Sequence, residues 1–345
     1  MKIFWGSSFF IASVFALLAA CAPLPWANSP QARSTTPAFS QHAEAYEVVD
    51  LDWIDQARQR EVPVRLYLPK TSSAGKPVPL VLFSHGMGGS RNGYSYLADD
   101  WASHGIASLH VQHVGSDRSV WQGSRIGVLW QLQQAASAGE AMARAQDMRF
   151  ALDQLLASPD AVRIARERIA VAGHSYGANT AMLVAGAHVM QHGEVLALSD
   201  ARIKAAILIS SPPFYGEDDF APILQSIRAP TLHITSTADV IEVPGYHSDV
   251  SDRIKVFNAI GSRDKALAVF KGGSHSMFTD RSNTGGATLN PLVKQATSEL
   301  TRLFLLRQFA EASPRQDINT WQQLHADILD SFQTAPLLSG AVTAR

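Results

Sequence analysis

The chain has almost no cysteine: Cys21 is the only one among 345 residues. It can form no disulfide within itself and no metal site of several cysteines. Charge is also scarce, at 17% of residues with a formal net charge of −1, so we expect no nucleic-acid partner, which would need a basic face. No P-loop or Gly-x-Gly-x-x-Gly follows a predicted strand, and no Cys/His cluster has metal-ligand spacing. We therefore predict neither a nucleotide cofactor nor a bound metal.

Residues 1–20 carry one early lysine and then run apolar, a pattern typical of a secretory signal peptide. Their small-residue end, directly before Cys21, resembles the lipobox of bacterial lipoproteins. That resemblance implies that Cys21 becomes the lipidated first residue and anchors the protein in a bacterial cell envelope. Because Ala22 rather than aspartate follows, it also implies an outer membrane facing the periplasm. The alternative is a signal peptide without lipidation.

Strands and helices alternate along the rest of the chain, which predicts an α/β fold with a mostly parallel sheet covered on both faces. Residues 21–42 are proline-rich and predict a flexible tether, residues 43–335 form one domain, and residues 336–345 form a C-terminal tail. The domain is predicted to begin with a β-hairpin. The predicted strands are 46–54, 61–68, 79–84, 106–111, 168–172, 205–210, 231–235 and 266–270, and the predicted helices are 93–104, 137–157, about 291–310 and about 319–332.

Residues 173–177 read Gly-His-Ser-Tyr-Gly between an apolar strand and an alanine-rich helix. Gly-x-Ser-x-Gly in this setting is typical of a nucleophile elbow, a strained turn that exposes a serine hydroxyl. The glycines are needed because strand and helix pass close to the turn. Ser175 is therefore the predicted nucleophile; the alternative is an ordinary turn with a capping serine.

A second glycine-rich loop, residues 84–89, follows the apolar strand at 79–84. Acyl transfer requires N–H donors that stabilise a negatively charged oxygen, and one usually comes from such a loop. We predict that the backbone N–H groups of Met87 and Tyr176 form this oxyanion hole. The alternative is a tight turn with no role in catalysis.

A serine nucleophile also needs a histidine that takes its proton and an acid that orients the histidine. In α/β folds that carry a nucleophile elbow, the acid precedes the histidine along the chain and both follow the serine. Asp239 and His275 each follow a predicted strand in that order and are the predicted partners. Five other downstream acids are available, and most of them are expected to be solvated loop charges: Asp218, Asp219, Asp249, Asp252 and Asp264.

The motifs at 84–89, 173–177 and 272–278 resemble those of the α/β-hydrolase superfamily, and more narrowly of bacterial predicted dienelactone hydrolases and platelet-activating-factor acetylhydrolase-like esterases. The resemblance spans about residues 45–310. It implies that residues 43–335 form an α/β-hydrolase catalytic domain and act on a small-molecule or lipid ester. Dienelactone hydrolases use a cysteine nucleophile, so Ser175 argues against that activity.

The sequence thus predicts a serine esterase that forms an acyl-enzyme on Ser175. The alternatives are an amidase or peptidase of the same fold and a non-catalytic lipoprotein that binds an acyl ligand. Residues 112–136 and 211–228 follow strand ends and are expected to form a lid or a pocket wall, or to pack on the core. Asp147 and Arg149 are expected to form an ion pair.

Overall fold

The computed structural model describes residues 45–191, 194–214, 219–243, 246–309 and 315–335. Its strands are β1 (Tyr46–Asp55), β2 (Arg60–Pro69), β3 (Val78–Ser84), β4 (Ala107–Val111), β5 (Ile164–His174), β6 (Met190–Gln191), β7 (Glu194–Val195), β8 (Ile203–Ile209), β9 (Thr231–Ser236), β10 (Ile241–Val243), β11 (Tyr246–Ser248), β12 (Lys265–Phe270) and β13 (Leu329–Thr334). Its helices are α1 (Ser95–Ser103), α2 (Arg125–Ala135), α3 (Ala138–Ala157), α4 (Tyr176–Val184), α5 (Ala221–Leu224), α6 (Val250–Ala259), α7 (Leu289–Phe309) and α8 (Arg315–Leu324).

One sheet organises the fold, with strand order β1-β2-β4-β3-β5-β8-β9-β12-β13. The strands from β4 to β12 run parallel, whereas β2 and β13 pair antiparallel with this block and β1 pairs antiparallel with β2. The parallel strands therefore end at one edge, where open α/β sheets place their sites. This arrangement confirms the predicted parallel sheet and its N-terminal hairpin.

Both faces of the sheet are covered, which explains the continuous apolar runs of the central strands. Successive residues point to opposite faces: Leu82 packs in the core beneath α3 and α4, and Phe83 packs in the core beneath α1 and α7. The outer strand β1 instead alternates more exposed with less exposed residues, because only one of its faces is covered.

Two predictions were wrong. The helix predicted at about 319–332 is the helix α8 followed by the strand β13, which pairs with β12 through Ala268 and Phe332. Pairing with a distant strand decides this conformation, and local pattern does not encode it. Asp147 and Arg149 do not pair: residues two apart on a helix point in different directions, and Arg149 donates to the Ala197 carbonyl at 2.8 Å.

The predicted signal peptide (1–20), the predicted lipidation residue Cys21, the whole predicted tether (21–42), the first two residues of the predicted domain (43–44) and the predicted tail (336–345) lie outside the described residues. Within the described ranges, no helix combines the length and the apolar character that crossing a bilayer requires.

Candidate active site

Ser175 lies on the turn between β5 and α4 with φ 55° and ψ −124°. A residue with a Cβ atom rarely adopts this combination of positive φ and negative ψ. The Ser175 N–H donates to the Ile209 carbonyl at 2.9 Å and anchors the turn to β8. A Cβ at Gly173 would lie 2.1 Å from the Gly177 carbonyl oxygen, and one at Gly177 would lie 1.9 Å from the Ser84 carbonyl oxygen. Both glycines are therefore required by close backbone approach.

Ser175, His275 and Asp239 form a hydrogen-bonded series that we call the outer chain. His275 Nε2 lies 2.8 Å from Ser175 Oγ, and His275 Nδ1 lies 2.7 Å from Asp239 Oδ1. Because a carboxylate can only accept, Nδ1 carries the proton and Nε2 accepts from the serine hydroxyl. This is the tautomer that a general base needs. Asp239 is buried, whereas Ser175 and His275 are partly exposed.

Asp239 is held as an anion although it is fully buried. Burial favours the neutral acid, but the hydrogen bond and charge of His275 outweigh it, with help from Arg253 and Thr235, and lower the pKa of Asp239. Thr235 Oγ1 donates to Asp239 Oδ2 at 2.7 Å, and Arg253 Nη2 lies 3.4 Å from Oδ1. The carboxylate can therefore stabilise a charged imidazolium on His275.

The two predicted oxyanion donors lie beside the serine. Tyr176 is the first residue of α4, and Met87 lies in the loop after β3. Within the described residues neither N–H donates a hydrogen bond, whereas the neighbouring Gly88 and Gly89 N–H groups donate to the Ser116 and Gly86 carbonyls at 2.8 and 3.0 Å. A Cβ at Gly86 would lie 3.3 Å from the Ser175 Cβ, so this loop packs directly against the elbow.

Tyr94 and His174 connect the glycine-rich loop at residues 84–89, which we call the oxyanion loop, with the segment that carries His275. The Gly86 N–H donates to the Tyr94 hydroxyl at 3.2 Å, and that hydroxyl lies 2.9 Å from His174 Nδ1. His174 Nε2 lies 3.0 Å from the His275 carbonyl and must donate to it. Burial lowers the pKa of His174 to about 3, so its ring stays neutral and Nδ1 accepts from Tyr94. A continuous series of hydrogen bonds therefore joins Gly86, Tyr94, His174 and the His275 carbonyl.

Several known proteins resemble this chain. The family model described as platelet-activating factor acetylhydrolase, isoform II, matches residues 61–125. The platelet-activating factor acetylhydrolases of Cavia porcellus and Bos taurus are each 27% identical over 244 residues, covering 60% of this chain and 49% of the relative. The match thus spans about half the length of these curated relatives.

Among solved structures, the ferulic acid esterase from Streptomyces cinnamoneus is similar with a TM-score of 0.57 and 20% identity, covering 79% of this chain and 92% of the other. The acylaminoacyl peptidase of Pyrococcus horikoshii is similar with a TM-score of 0.57 and 18% identity, covering 80% of this chain and 44% of the other. The protein has the α/β-hydrolase fold. At these identities the structural likeness establishes the fold alone.

The structure contains a second Ser–His–Asp series, which we call the inner chain: Ser84, His113 and Asp147. Ser84 Oγ lies 3.0 Å from His113 Nε2, and His113 Nδ1 lies 3.0 Å from Asp147 Oδ2. All three residues are fully buried. Ser84 Oγ also accepts a hydrogen bond from Arg144 Nη2 at 3.0 Å. The inner chain is therefore shielded from any substrate.

Sequence reasoning found the outer chain and missed the residues that support it. Arg253 was missed because its helix, α6, was not predicted. Arg144 and Tyr94 were missed because a buried arginine or tyrosine carries no local signal. The strained backbone of Tyr94, with φ 61°, is also visible only in the structure. In the described part of the chain no group of three or more His, Cys, Asp or Glu side chains is arranged to hold a metal ion.

Proposed function

We propose that the protein is a serine hydrolase that cleaves carboxylic esters through an acyl-enzyme on Ser175. The observation that carries this proposal is the outer chain, whose serine hydroxyl is bonded to His275 beside two backbone N–H groups that donate no hydrogen bond within the described residues. The relatives named acetylhydrolases favour an ester over an amide and suggest a short acyl group.

His275 takes the hydroxyl proton of Ser175 as the serine oxygen attacks the ester carbonyl carbon. The carbonyl oxygen becomes an oxyanion, which the N–H groups of Met87 and Tyr176 bind. His275, now charged and stabilised by Asp239, gives its proton to the departing alcohol. Water then attacks the acyl-enzyme with His275 again as the base, and the acid leaves while Ser175 regains its proton.

A fluorophosphonate probe tests this proposal directly. We expect it to label the wild type and not Ser175→Ala, while Ser84→Ala, altered in the inner chain, retains its labelling at Ser175. Circular dichroism checks that each variant is folded. A folded wild type that does not react would contradict the proposal and favour an acyl-binding protein.

Esters of increasing acyl length, with matched amides, then define the substrate class. We expect p-nitrophenyl acetate to be hydrolysed faster than long-chain esters, and the matched amides to be cleaved far more slowly. Comparable amide turnover would instead indicate an amidase or peptidase.

We also propose that the protein is exported and carries a lipid on Cys21. The signal-like residues 1–20 and the lipobox-like end support this location. Metabolic labelling with a fatty-acid analogue should mark the wild type and not Cys21→Ser. Equal labelling of both would contradict the anchor.

A further inference from the structure

Four large apolar side chains lie exposed within ten residues of the segment after β4. Trp121 is 51% exposed, Ile126 81%, Leu129 56% and Trp130 63%. The last three lie at positions i, i+3 and i+4 of α2 and share one helix face, and the short turn that carries Trp121 packs against α2. Single exposed apolar residues are ordinary, but a group of this size marks an interaction surface.

The sequence that carries this face is weakly basic, and the two acidic residues that flank it, Asp117 and Glu140, are buried and hydrogen-bonded. From Arg118 to residue 139 the sequence contains no acidic residue, while Arg118 and Arg125 are basic. A helix with tryptophan and aliphatic side chains on one face and nearby arginines suits the interface of a membrane with anionic headgroups. Tryptophan in particular prefers that interface.

The face adjoins the candidate active site. The Trp121 ring packs on Gly88 so closely that a Cβ there would lie 2.0 Å from the indole nitrogen. Gly88 directly follows Met87, a predicted oxyanion donor. A surface bound to α2 would therefore lie beside the place where an ester reacts.

We propose that Trp121, Ile126, Leu129 and Trp130 dock this protein on an anionic lipid surface. The proposal that this face binds lipid does not depend on the proposed function. Only its consequence, that docking brings ester substrates close to Ser175, rests on the proposed function.

The test compares two double variants of the full chain, each in a Cys21→Ser background so that no lipid anchor contributes. Ile126→Asp with Leu129→Asp alters the face, and Val162→Asp with Leu324→Asp alters exposed apolar residues elsewhere. The probes are vesicles of phosphatidylcholine alone or mixed with phosphatidylglycerol. We expect the first variant to bind the mixed vesicles at least about tenfold more weakly than the control variant, while both hydrolyse p-nitrophenyl acetate like the parent. Arg118→Gln should reduce the preference for mixed over neutral vesicles.

Equal vesicle binding by the two double variants would overturn the proposal. So would a dimeric parent that becomes monomeric in the first variant without a change in vesicle binding, because a second copy would then cover the face. If no variant hydrolyses any ester, the proposed function fails, and vesicle binding still decides the docking proposal.

A different observation concerns Arg144, a fully buried arginine on α3. Within the described residues no carboxylate forms an ion pair with its guanidinium. The guanidinium instead donates to four neutral oxygens from other parts of the chain: the His85 carbonyl, Ser84 Oγ, Ser116 Oγ and Thr180 Oγ1.

Arg144 touches both halves of the predicted oxyanion hole. Its guanidinium carbon lies 4.4 Å from the ring centre of Tyr176, whose N–H is one donor. It also holds the His85 carbonyl, one peptide before the Gly86–Met87 peptide that supplies the other. That second peptide is fixed by hydrogen bonds to the Gly86 carbonyl from His85 Nδ1 at 2.7 Å and from the Gly89 N–H at 3.0 Å. Since carbonyl and N–H point oppositely in a trans peptide, the direction of the Met87 N–H is fixed too.

We infer that Arg144 is a positioning residue that sets the two oxyanion donors relative to each other. This inference rests on the proposed function. Its loss should weaken binding of the transition state more than binding of the substrate, because the donors engage fully only when the oxyanion forms.

The variants are Arg144→Met and Arg144→Lys, with Arg163→Met as the control. Away from the site, the Arg163 guanidinium also donates hydrogen bonds to a backbone carbonyl, that of Pro69, and to a serine hydroxyl, Ser72 Oγ. For Arg144→Met we expect kcat to fall about 10- to 100-fold with KM little changed. The inhibition constant of a boronic acid, which forms a tetrahedral adduct, should rise by a similar factor. Arg144→Lys should recover part of this loss, and Arg163→Met should lower only the melting temperature.

An Arg144→Met variant that loses thermal stability but keeps its kcat and boronate inhibition would overturn the inference. Failure of the wild type to react with a fluorophosphonate would instead count against the proposed function.

Discussion

The outer and inner chains contain the same three groups in the same order, with similar hydrogen-bond lengths, yet their surroundings differ. The outer serine lies on a strained turn, partly exposed, beside two N–H groups that have no acceptor in the part of the chain that the structure describes. The inner serine lies in a strand, fully buried, and its oxygen accepts from Arg144. A Ser–His–Asp series therefore provides a reactive serine only where a substrate can reach it and a developing charge is stabilised.

The electrostatics of the two chains also diverge. Burial holds the pKa of His113 well below its ordinary value, and the charges of nearby arginines lower it further. The inner histidine is therefore kept from becoming the imidazolium that a general base must form. Its acid differs as well: burial outweighs the arginine contacts and raises the pKa of Asp147, whereas the pKa of Asp239 is lowered.

The largest contrast should come from changing each aspartate to asparagine. Asp239→Asn should reduce kcat by about 10⁴-fold, because the amide favours the wrong tautomer of His275. Asp147→Asn should change kcat far less but destabilise the protein by about 1–3 kcal/mol, since Arg58 and Arg60 lose a buried hydrogen-bond acceptor and keep only Asp55 and Glu140 as partners. Ester kinetics and chemical unfolding measure the two effects. Similar kcat losses in both variants would erase the distinction between the chains.

The two aspartates should also give opposite pH dependences of stability. The lowered pKa of Asp239 stabilises the folded state above its unfolded pKa of about 3.9, and this contribution is lost as the pH falls through the folded pKa. The raised pKa of Asp147 gives a contribution that is complete below about pH 3.9 and is lost as the pH rises through the folded pKa.

The measurement is the difference in unfolding free energy between wild type and each asparagine variant across a pH series. The difference should grow with pH for Asp239→Asn and shrink with pH for Asp147→Asn. Slopes of the same sign would refute the assignment of opposite pKa shifts.

The smallest effect concerns the backbone of the two serines. Ser175→Gly should raise the unfolding free energy by about 1 kcal/mol, because glycine accepts φ 55° without strain. Ser84→Gly should lower it by about 1 kcal/mol or more, because glycine costs entropy in a strand and buried hydrogen bonds are lost. Urea unfolding measures both, and Ser175→Ala is the control that keeps the Cβ. A destabilised Ser175→Gly would show that the turn is not strained.

Much of the fold was predictable from patterns that are local in the chain. Long apolar runs predicted the parallel strands, and the two glycines around Ser175 predicted the elbow. Where the local pattern was ambiguous the prediction failed, as for β13, whose conformation depends on pairing with β12. The apolar face of α2 was only partly foreseen, because sequence shows aromatic residues but not whether they lie inside or outside.

The sequence by itself determined the elbow at Ser175 and the order in which Asp239 and His275 follow, because each lies at the end of its own strand. Only the tertiary structure decided that the three meet, that Arg144 lies behind the oxyanion loop, and that a second, closed Ser–His–Asp series exists. Those groups come from elements far apart in the chain, and packing of the sheet and helices, rather than any local pattern, sets the distances between them.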